Sequence, residues 1–306
     1  MALGGNVMLR QQFADLFVSR LAFIDEILYE QFDAPNLTYP MVFNVRDSQR
    51  AYEELTEITG FGTFSEKSEG DTVDYDKLLQ GFDKRFSHTT FAKGSQISME
   101  AADDDLDGAI TNVMPPLGRS AHVSIETYIW NIINNGFSAT GTTTPDGAAL
   151  FSNSHILRGG GTYDNLISGD LSIATLETGL NMFDDMVDDR GLPIELGASN
   201  IVFPTNLRWL VYEILKSDLR SDTAENATNA FHQISLNPIM SKYLTGEDDW
   251  FLFSAPNVHR VLVYWRMEPQ TDHTIDFDTG NFKTKMTYRL SAGAAGWRGT
   301  VGGQGA

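Results

Sequence analysis

Residues 146 to 155 read DGAALFSNSH, which puts a carboxylate (Asp146), two hydroxyls (Ser152 and Ser154) and an imidazole (His155) within ten positions. Serine, histidine and aspartate are the parts of a nucleophilic hydrolase, in which the imidazole takes the hydroxyl proton and the carboxylate orients the imidazole. That chemistry also needs a strained Gly-x-Ser-x-Gly elbow and an oxyanion hole. Both serines here follow Leu150-Phe151 and lack flanking glycines. Closeness along the chain carries no weight, because such triads are assembled in space. The residues alone read as a turn at Asp146 and Gly147, a buried anchor at Leu150 and Phe151, and a His155 held by hydrogen bonds.

Other stretches offer less chemistry. RGGGT at 158–162 lacks the Lys-Ser/Thr pair of a phosphate-binding loop and reads as a flexible turn. DFDTGN at 276–281 echoes part of a calcium loop without its closing Glu or flanking helices, so a β-turn is expected. The six histidines, at 88, 122, 155, 232, 259 and 273, show no metal-ligand spacing. The acidic runs Asp184, Asp185, Asp188, Asp189 and Glu247, Asp248, Asp249 read as solvated faces. With no cysteine, the chain has no disulfide, thiolate zinc site, iron–sulfur cluster or cysteine nucleophile. No cofactor is expected.

What remains is a question of architecture. The 306 residues suffice for one large or two medium domains, and 42% of them are hydrophobic. A formal charge of −19 repels phosphate backbones and anionic lipid, which argues against sequence-specific nucleic-acid binding but suits a chain lying beside DNA without sticking to it. No apolar run is long enough to span a bilayer. The opening MALGGNVMLRQQFADLF lacks the layout of a signal peptide, so the protein is expected to stay in a cytosol-like compartment or to leave it by a route other than secretion.

Leu9, Phe13, Leu16, Phe17, Leu21, Ile24, Leu28 and Phe32 form one helical stripe, suited to core packing or to docking on a neighbouring subunit. From Gly60 to Glu100 the chain turns polar and acidic, with β-like runs at Lys84–Phe91 and Ser95–Glu100, and reads as a long protruding hairpin. A helical segment over 103–136 opens on Asp103, Asp104 and Asp105, is interrupted at Pro115 and Pro116, and stops at Gly136. Residues 172–188 repeat apolar side chains at helical spacing behind a capping Ser172. A short strand at 201–203 and a helix through Leu207–Leu215 follow, and the last third is strand-like at 250–255, 260–267 and 283–295. The closing GGQGA reads as a low-complexity tail. The fold class is α+β.

Taken in order, SHTTFAKGSQISMEAADDDL, PPLGRSAHVSIETYIWNIINNGFS, DGAALFSNSH, the long segment from LSIATLETGL to LVYEILKS, and GWRG resemble the Mu-like major head subunits among the major capsid proteins of tailed bacteriophages. The resemblance runs from about residue 60 to the end. Its landmarks are Asp146, Gly147, Leu150, Phe151, His155, Trp297, Arg298 and Gly299. It implies a Hong Kong 97-like capsid fold with an N-terminal arm (1–60), an extended E-loop hairpin (61–101), a peripheral domain with a long spine helix (102–169), an axial domain (170–258), and return strands of the peripheral domain with the C-terminal segment (259–306). It implies a structural protein, not an enzyme, that assembles through hexameric and pentameric capsomers, with scaffold and portal partners and no membrane. The shell would be icosahedral or prolate and enclose double-stranded DNA without reading its sequence. The protein would reside in the virion after assembly in the host cytoplasm.

Within the arm and E-loop, Phe13, Phe17, Phe82, Lys84 and Arg85 are the candidate intersubunit residues, while Trp297 and Arg298 suit either subunit stability or a neighbour contact. Some relatives join an E-loop lysine to a neighbour's asparagine; no motif aligns Lys67, Lys77, Lys84 or Lys93 with it, so no cross-link is expected. Some also carry a scaffolding extension before the arm, and its absence here implies a separate scaffold protein or a processed chain. The rival readings are an encapsulin-like nanocompartment shell and a cytosolic serine hydrolase using Ser152 or Ser154 with His155.

Overall fold

The computed structural model describes residues 29, 32, 37–78, 80–98, 109–217 and 230–305. Apart from Phe32, the stripe of residues 9–32 lies outside the described residues, including Phe13 and Phe17, as do Asp103, Asp104, Asp105 and residues 218–229. The chain packs as two compact units interleaved along the sequence. The larger is built from Thr38–His88, Glu126–Arg266 and Ser291–Ala306, and the smaller from Met1–Leu37, Thr89–Ile125 and Met267–Leu290.

The larger unit is organised by a five-stranded mixed sheet ordered β7 (Leu166–Ser168), β13 (Thr300–Gln304), β10 (Trp250–Phe253), β8 (Asn200–Phe203), β9 (Asn237–Met240). Its central strand, WFLF, is buried throughout because both faces are covered. On one face, Trp250, Leu252, Ile201, Phe203 and Val301 meet apolar residues of α2 (Ile173–Asp184) and α3 (Arg208–Lys216), including Leu176, Phe183, Val211 and Ile214. On the other, Phe251 joins Phe137 and Phe151 with ring centroids 5.1–5.6 Å apart. The helix α2 starts where Ser172 predicts, and Ser172 and Thr175 exchange bonds with each other's backbone in a capping box.

The glycine-rich end is a correction to the expectation of a low-complexity tail. TVGGQ is strand β13, antiparallel to β10 with Trp250 opposite Gly303 and Phe251 opposite Gly302. A Cβ at Gly302 would lie 2.5 Å from the Phe151 ring, and one at Gly303 would lie 2.1 Å from the Trp250 ring. These glycines are the floor on which two large rings rest.

The long helix α1 (Ala109–Asn134) also departs from expectation, because it continues through Pro115 and Pro116. Proline's fixed φ is compatible with a helix, and only the missing N–H bonds and ring crowding oppose it. Downstream, Ile125, Ile129 and Ile133 are fully buried. Gly136 is required by space: a Cβ there would lie 2.7 Å from the Phe151 ring.

The expected hairpin strands at Lys84–Phe91 and Ser95–Glu100 do not pair with each other. Instead β2 (Tyr52–Ile58) pairs antiparallel with β3 (Gln80–Ser87) in the larger unit, leaving a long loop between them. Their alternation turns Leu55, Phe82, Lys84 and Phe86 inward and Tyr52, Glu54, Asp83 and Arg85 outward. Phe86 packs with Leu55, Leu262, Tyr264 and Ala295. The strand β1 (Asn44–Asp47) runs parallel to the start of β11 (Val261–Ile275). In the smaller unit β4 (Thr89–Ile97) pairs antiparallel with β12 (Phe282–Ala294), and DFDTGN forms the expected turn between β11 and β12. Among the described residues, no helix is long and apolar enough to cross a membrane.

His259 is buried, with Nε2 2.7 Å from the Val42 carbonyl and Nδ1 accepting from the Val261 amide. Burial pulls its pKa down to about 4, against a smaller opposing effect of the Val42 bond. An unfolded histidine titrates near 6.5, so the unfolded chain takes up this proton first. The stabilisation is therefore complete above about pH 6.5 and is lost as pH falls toward 4, with a size on the order of 3 kcal/mol. Denaturant unfolding at pH 7 and pH 4 should show that loss in the wild type and a smaller loss in His259→Gln; equal losses would contradict the assignment.

Candidate functional site

The motif that suggested chemistry is built as a turn and an anchor. The Gly147 amide bonds to the Thr144 carbonyl, and Gly147 sits at φ 85°, where a side chain would be strained. Asp146 Oδ1 accepts from the Ala148 amide at 3.3 Å and from the Thr144 hydroxyl. Leu150 and Phe151 are buried, and their amides bond to the carbonyls of Thr142 and Gly136.

His155 opens the short strand β5 (His155–Ile156), opposite Tyr163 of β6 (Thr162–Tyr163). Its Nδ1 lies 2.8 Å from Asp146 Oδ2 and its Nε2 lies 3.1 Å from Asn165 Oδ1. Asn165 is fixed in turn, because its Nδ2 donates to the carbonyls of Leu150 (2.9 Å) and Thr300 (3.1 Å). That leaves Oδ1 as the acceptor, which also takes the Ser152 amide at 2.8 Å. Nε2 therefore faces an atom that can only accept, while Nδ1 faces the Asp146 carboxylate, so both ring nitrogens are engaged. Burial opposes ionisation of Asp146, but bonds from His155 and Thr144 outweigh it and hold its carboxyl below the ordinary value.

A hydrolase needs its imidazole free to take a serine proton, and here the second nitrogen is spent on Asn165. Ser152 and Ser154 lie 3.4 Å from each other through their hydroxyls, at partly or fully exposed positions. Among the described residues, no three His, Cys, Asp or Glu side chains gather as metal ligands.

The residues His155, Trp297, Arg298 and Gly299 come together. The Trp297 ring stacks on His155 (centroids 4.7 Å, 16° between planes) and on Tyr163 (4.9 Å, 18°). Arg298 donates from Nε to the Val187 carbonyl (2.9 Å), from Nη2 to Asp189 (2.9 Å), and from Nη1 to Glu57 on β2 (3.4 Å). Gly299 lies at φ 80°, with its amide 3.3 Å from Met186 Sδ and its carbonyl accepting from the Ser254 amide.

Three residues of this junction escaped the sequence reading. Asp189 is buried and paired with Arg298, where a solvated acidic face was expected. Glu57 is shared by Arg298 and Arg260, and burial raises its pKa despite Arg298 beside it. Asn165 carried no signal, since a buried amide with every donor and acceptor engaged looks like any other Asn in a loop. Only the resemblance, which counts DGAALFSNSH and GWRG among its landmarks, linked the two stretches.

The candidate intersubunit residues divide by face. Phe82 lies under the Arg158 guanidinium at 3.8 Å, and Lys84 Nζ donates to the Thr143 carbonyl at 2.6 Å, with burial lowering its pKa. Arg85 points outward over the Tyr52 ring at 3.7 Å.

Comparison with known proteins places this arrangement. A search of curated proteins finds no match. The capsid of the cyanophage P-SCSP1u is similar in structure (TM-score 0.56, 12% identity, covering 88% of each chain), as is the mature capsid of bacteriophage PhiM1 (0.58, 9%, covering 86% of this chain and 84% of that one). So is a chain of Microbacterium phage Oxtober96 (0.56, 11%, covering 87% and 90%). At such identities the likeness speaks for the fold, which is Hong Kong 97-like. The family model described as phage capsid protein matches residues 82–302, from strand β3 through β13, and so takes in His155, Trp297 and Arg298. The chain belongs to the phage capsid protein family and is a structural subunit of the head.

Proposed function

We propose that the chain closes a shell around double-stranded phage DNA by strapping each copy to its neighbours with the β2–β3 hairpin. The observation that carries this reading is the hairpin's loop, where Phe64 and Tyr75 are 102% and 86% exposed and Phe61 is 56% exposed. A lone chain leaves these large apolar surfaces in water, and a neighbouring copy would cover them. The hairpin takes the role of the E-loop, with strands that begin upstream of the expected residues 61–101. In this reading the arm lies in the N-terminal residues, with Phe13 and Phe17 as its contacts, and α1 is the spine helix. The five-stranded sheet with α2 and α3 is the axial domain.

Each contact in such a shell is modest, and closure multiplies them, because every strap converts the next contact into an intramolecular one. Hexameric and pentameric capsomers, a scaffold and a portal complete the assembly. The charge of −19 suits a container that holds DNA without gripping it. Of the three candidate contact residues on the hairpin, Arg85 is the one turned outward and available to a neighbour, while Phe82 and Lys84 brace the hairpin from within.

The role is structural, without turnover. Removing His155 leaves Asp146 buried without its partner, so His155→Ala should destabilise the subunit by roughly 3–5 kcal/mol in denaturant unfolding. Neither wild type nor variant should hydrolyse an activated ester above background; hydrolysis abolished by His155→Ala would contradict the reading. Replacing residues 63–74 by a short Gly-Ser link should leave the subunit folded but prevent closed shells, judged by sedimentation and negative-stain microscopy. Normal shells from that variant would overturn the strap role.

A further inference from the structure

Acids outnumber bases in this chain, 41 Asp and Glu against 22 Lys and Arg, yet four of its 14 arginines converge on one short length of the hairpin. Arg298 and Arg260 both reach Glu57 Oε1, at 3.4 and 3.5 Å. Arg190 Nη2 donates to the Lys77 carbonyl at 2.7 Å and lies 3.3 Å from Asp76 Oδ1. Arg158 Nη2 reaches the Gly81 carbonyl at 3.4 Å and lays its guanidinium over Phe82. These arginines come from four separate places in the sequence and all belong to the larger unit.

They meet the hairpin where the paired strands give way to the loop. The register between β2 and β3 shifts between Thr56 and Ile58, so Glu57 sits at an irregularity that re-aims its side chain. Gly81 makes room for this, since a Cβ there would lie 2.9 Å from that of Glu57. Just beyond, the Gly62 amide bonds to Asp76 Oδ2 at 2.9 Å and closes the neck of the loop. The collar is itself braced, because Asp189 accepts from Arg298 through its side chain and from the Gly159 amide through its carbonyl, next to Arg158 and Arg190.

We infer that Arg158, Arg190, Arg260 and Arg298 form a collar, keyed on Glu57, that sets the direction in which the hairpin leaves its own subunit. The inference rests on the strap reading for its purpose, and on the contacts alone for its existence. A two-stranded ribbon has little stiffness of its own, so an unheld strap would sweep many directions. Arg298 fixes direction as well as position, since Nε, Nη1 and Nη2 of its planar fork each reach a different acceptor, and the other three add holds along the neck.

The test uses the unassembled full-length subunit. In Glu57→Gln and, separately, Arg190→Ala, amide hydrogen exchange of residues 76–87 should accelerate at least tenfold while β8, β10 and β13 keep wild-type protection. Closed shells should then form in lower yield. Unchanged exchange in residues 76–87 in both variants would overturn the collar. Faster exchange there with wild-type shell yield would support the collar and instead count against the strap reading. If Glu57→Gln fails to fold, Arg190→Ala carries the same test through an acceptor on the loop, away from Glu57.

Discussion

A guanidinium can leave water only if its donors find acceptors, and Arg298 finds three of them at once. The Val187 carbonyl and the Asp189 carboxylate lie two residues apart in the segment after α2, and the Glu57 carboxylate is far from both in sequence. One side chain thereby joins the segment after α2, the hairpin and the approach to β13. Its neighbour Trp297 carries the same junction to the other side by stacking on His155 and Tyr163. The end of the chain thus holds together what the middle builds, and β13 completes the central sheet immediately afterwards. Partly buried, charge-assisted pairs of this kind contribute geometry more than net stability.

The motif DGAALFSNSH takes its meaning from that junction. Asp146 and His155 make the hydrogen bond that a hydrolase would use, but Asn165 occupies the nitrogen that would face a serine. The same residue types serve to hold a loop against a tryptophan. In the protein as folded, the acid and the imidazole are structural partners, and the two serines are bystanders at the surface.

Much of the fold was legible where local physics decides it. Ser172 announced α2, the apolar spacing announced α3, and the apolar run at 250–255 announced a strand. What failed was long-range. The pairing of β3 with β2 rather than β4 depends on the inward face of β2, where Glu53 and Glu57 interrupt the apolar pattern. Helix α1 survives two prolines because its later turns bury three isoleucines. Gly302 and Gly303 look like a flexible tail until the rings of Phe151 and Trp250 are placed over them. Of the site, the resemblance picked out His155, Trp297 and Arg298, but Glu57, Asp189 and Asn165 are chosen by three-dimensional proximity that no spacing encodes.

The central claim is that a rigidly held hairpin on one copy straps a neighbour in a closed shell. Electron cryomicroscopy of particles formed by the purified protein tests it most directly. The account predicts closed shells in which Arg298 contacts Glu57 of its own chain while Phe64 and Tyr75 are buried on an adjacent copy. Particles whose hairpin loops fold back on their own subunit, or a protein that stays monomeric under all assembly conditions, would contradict it.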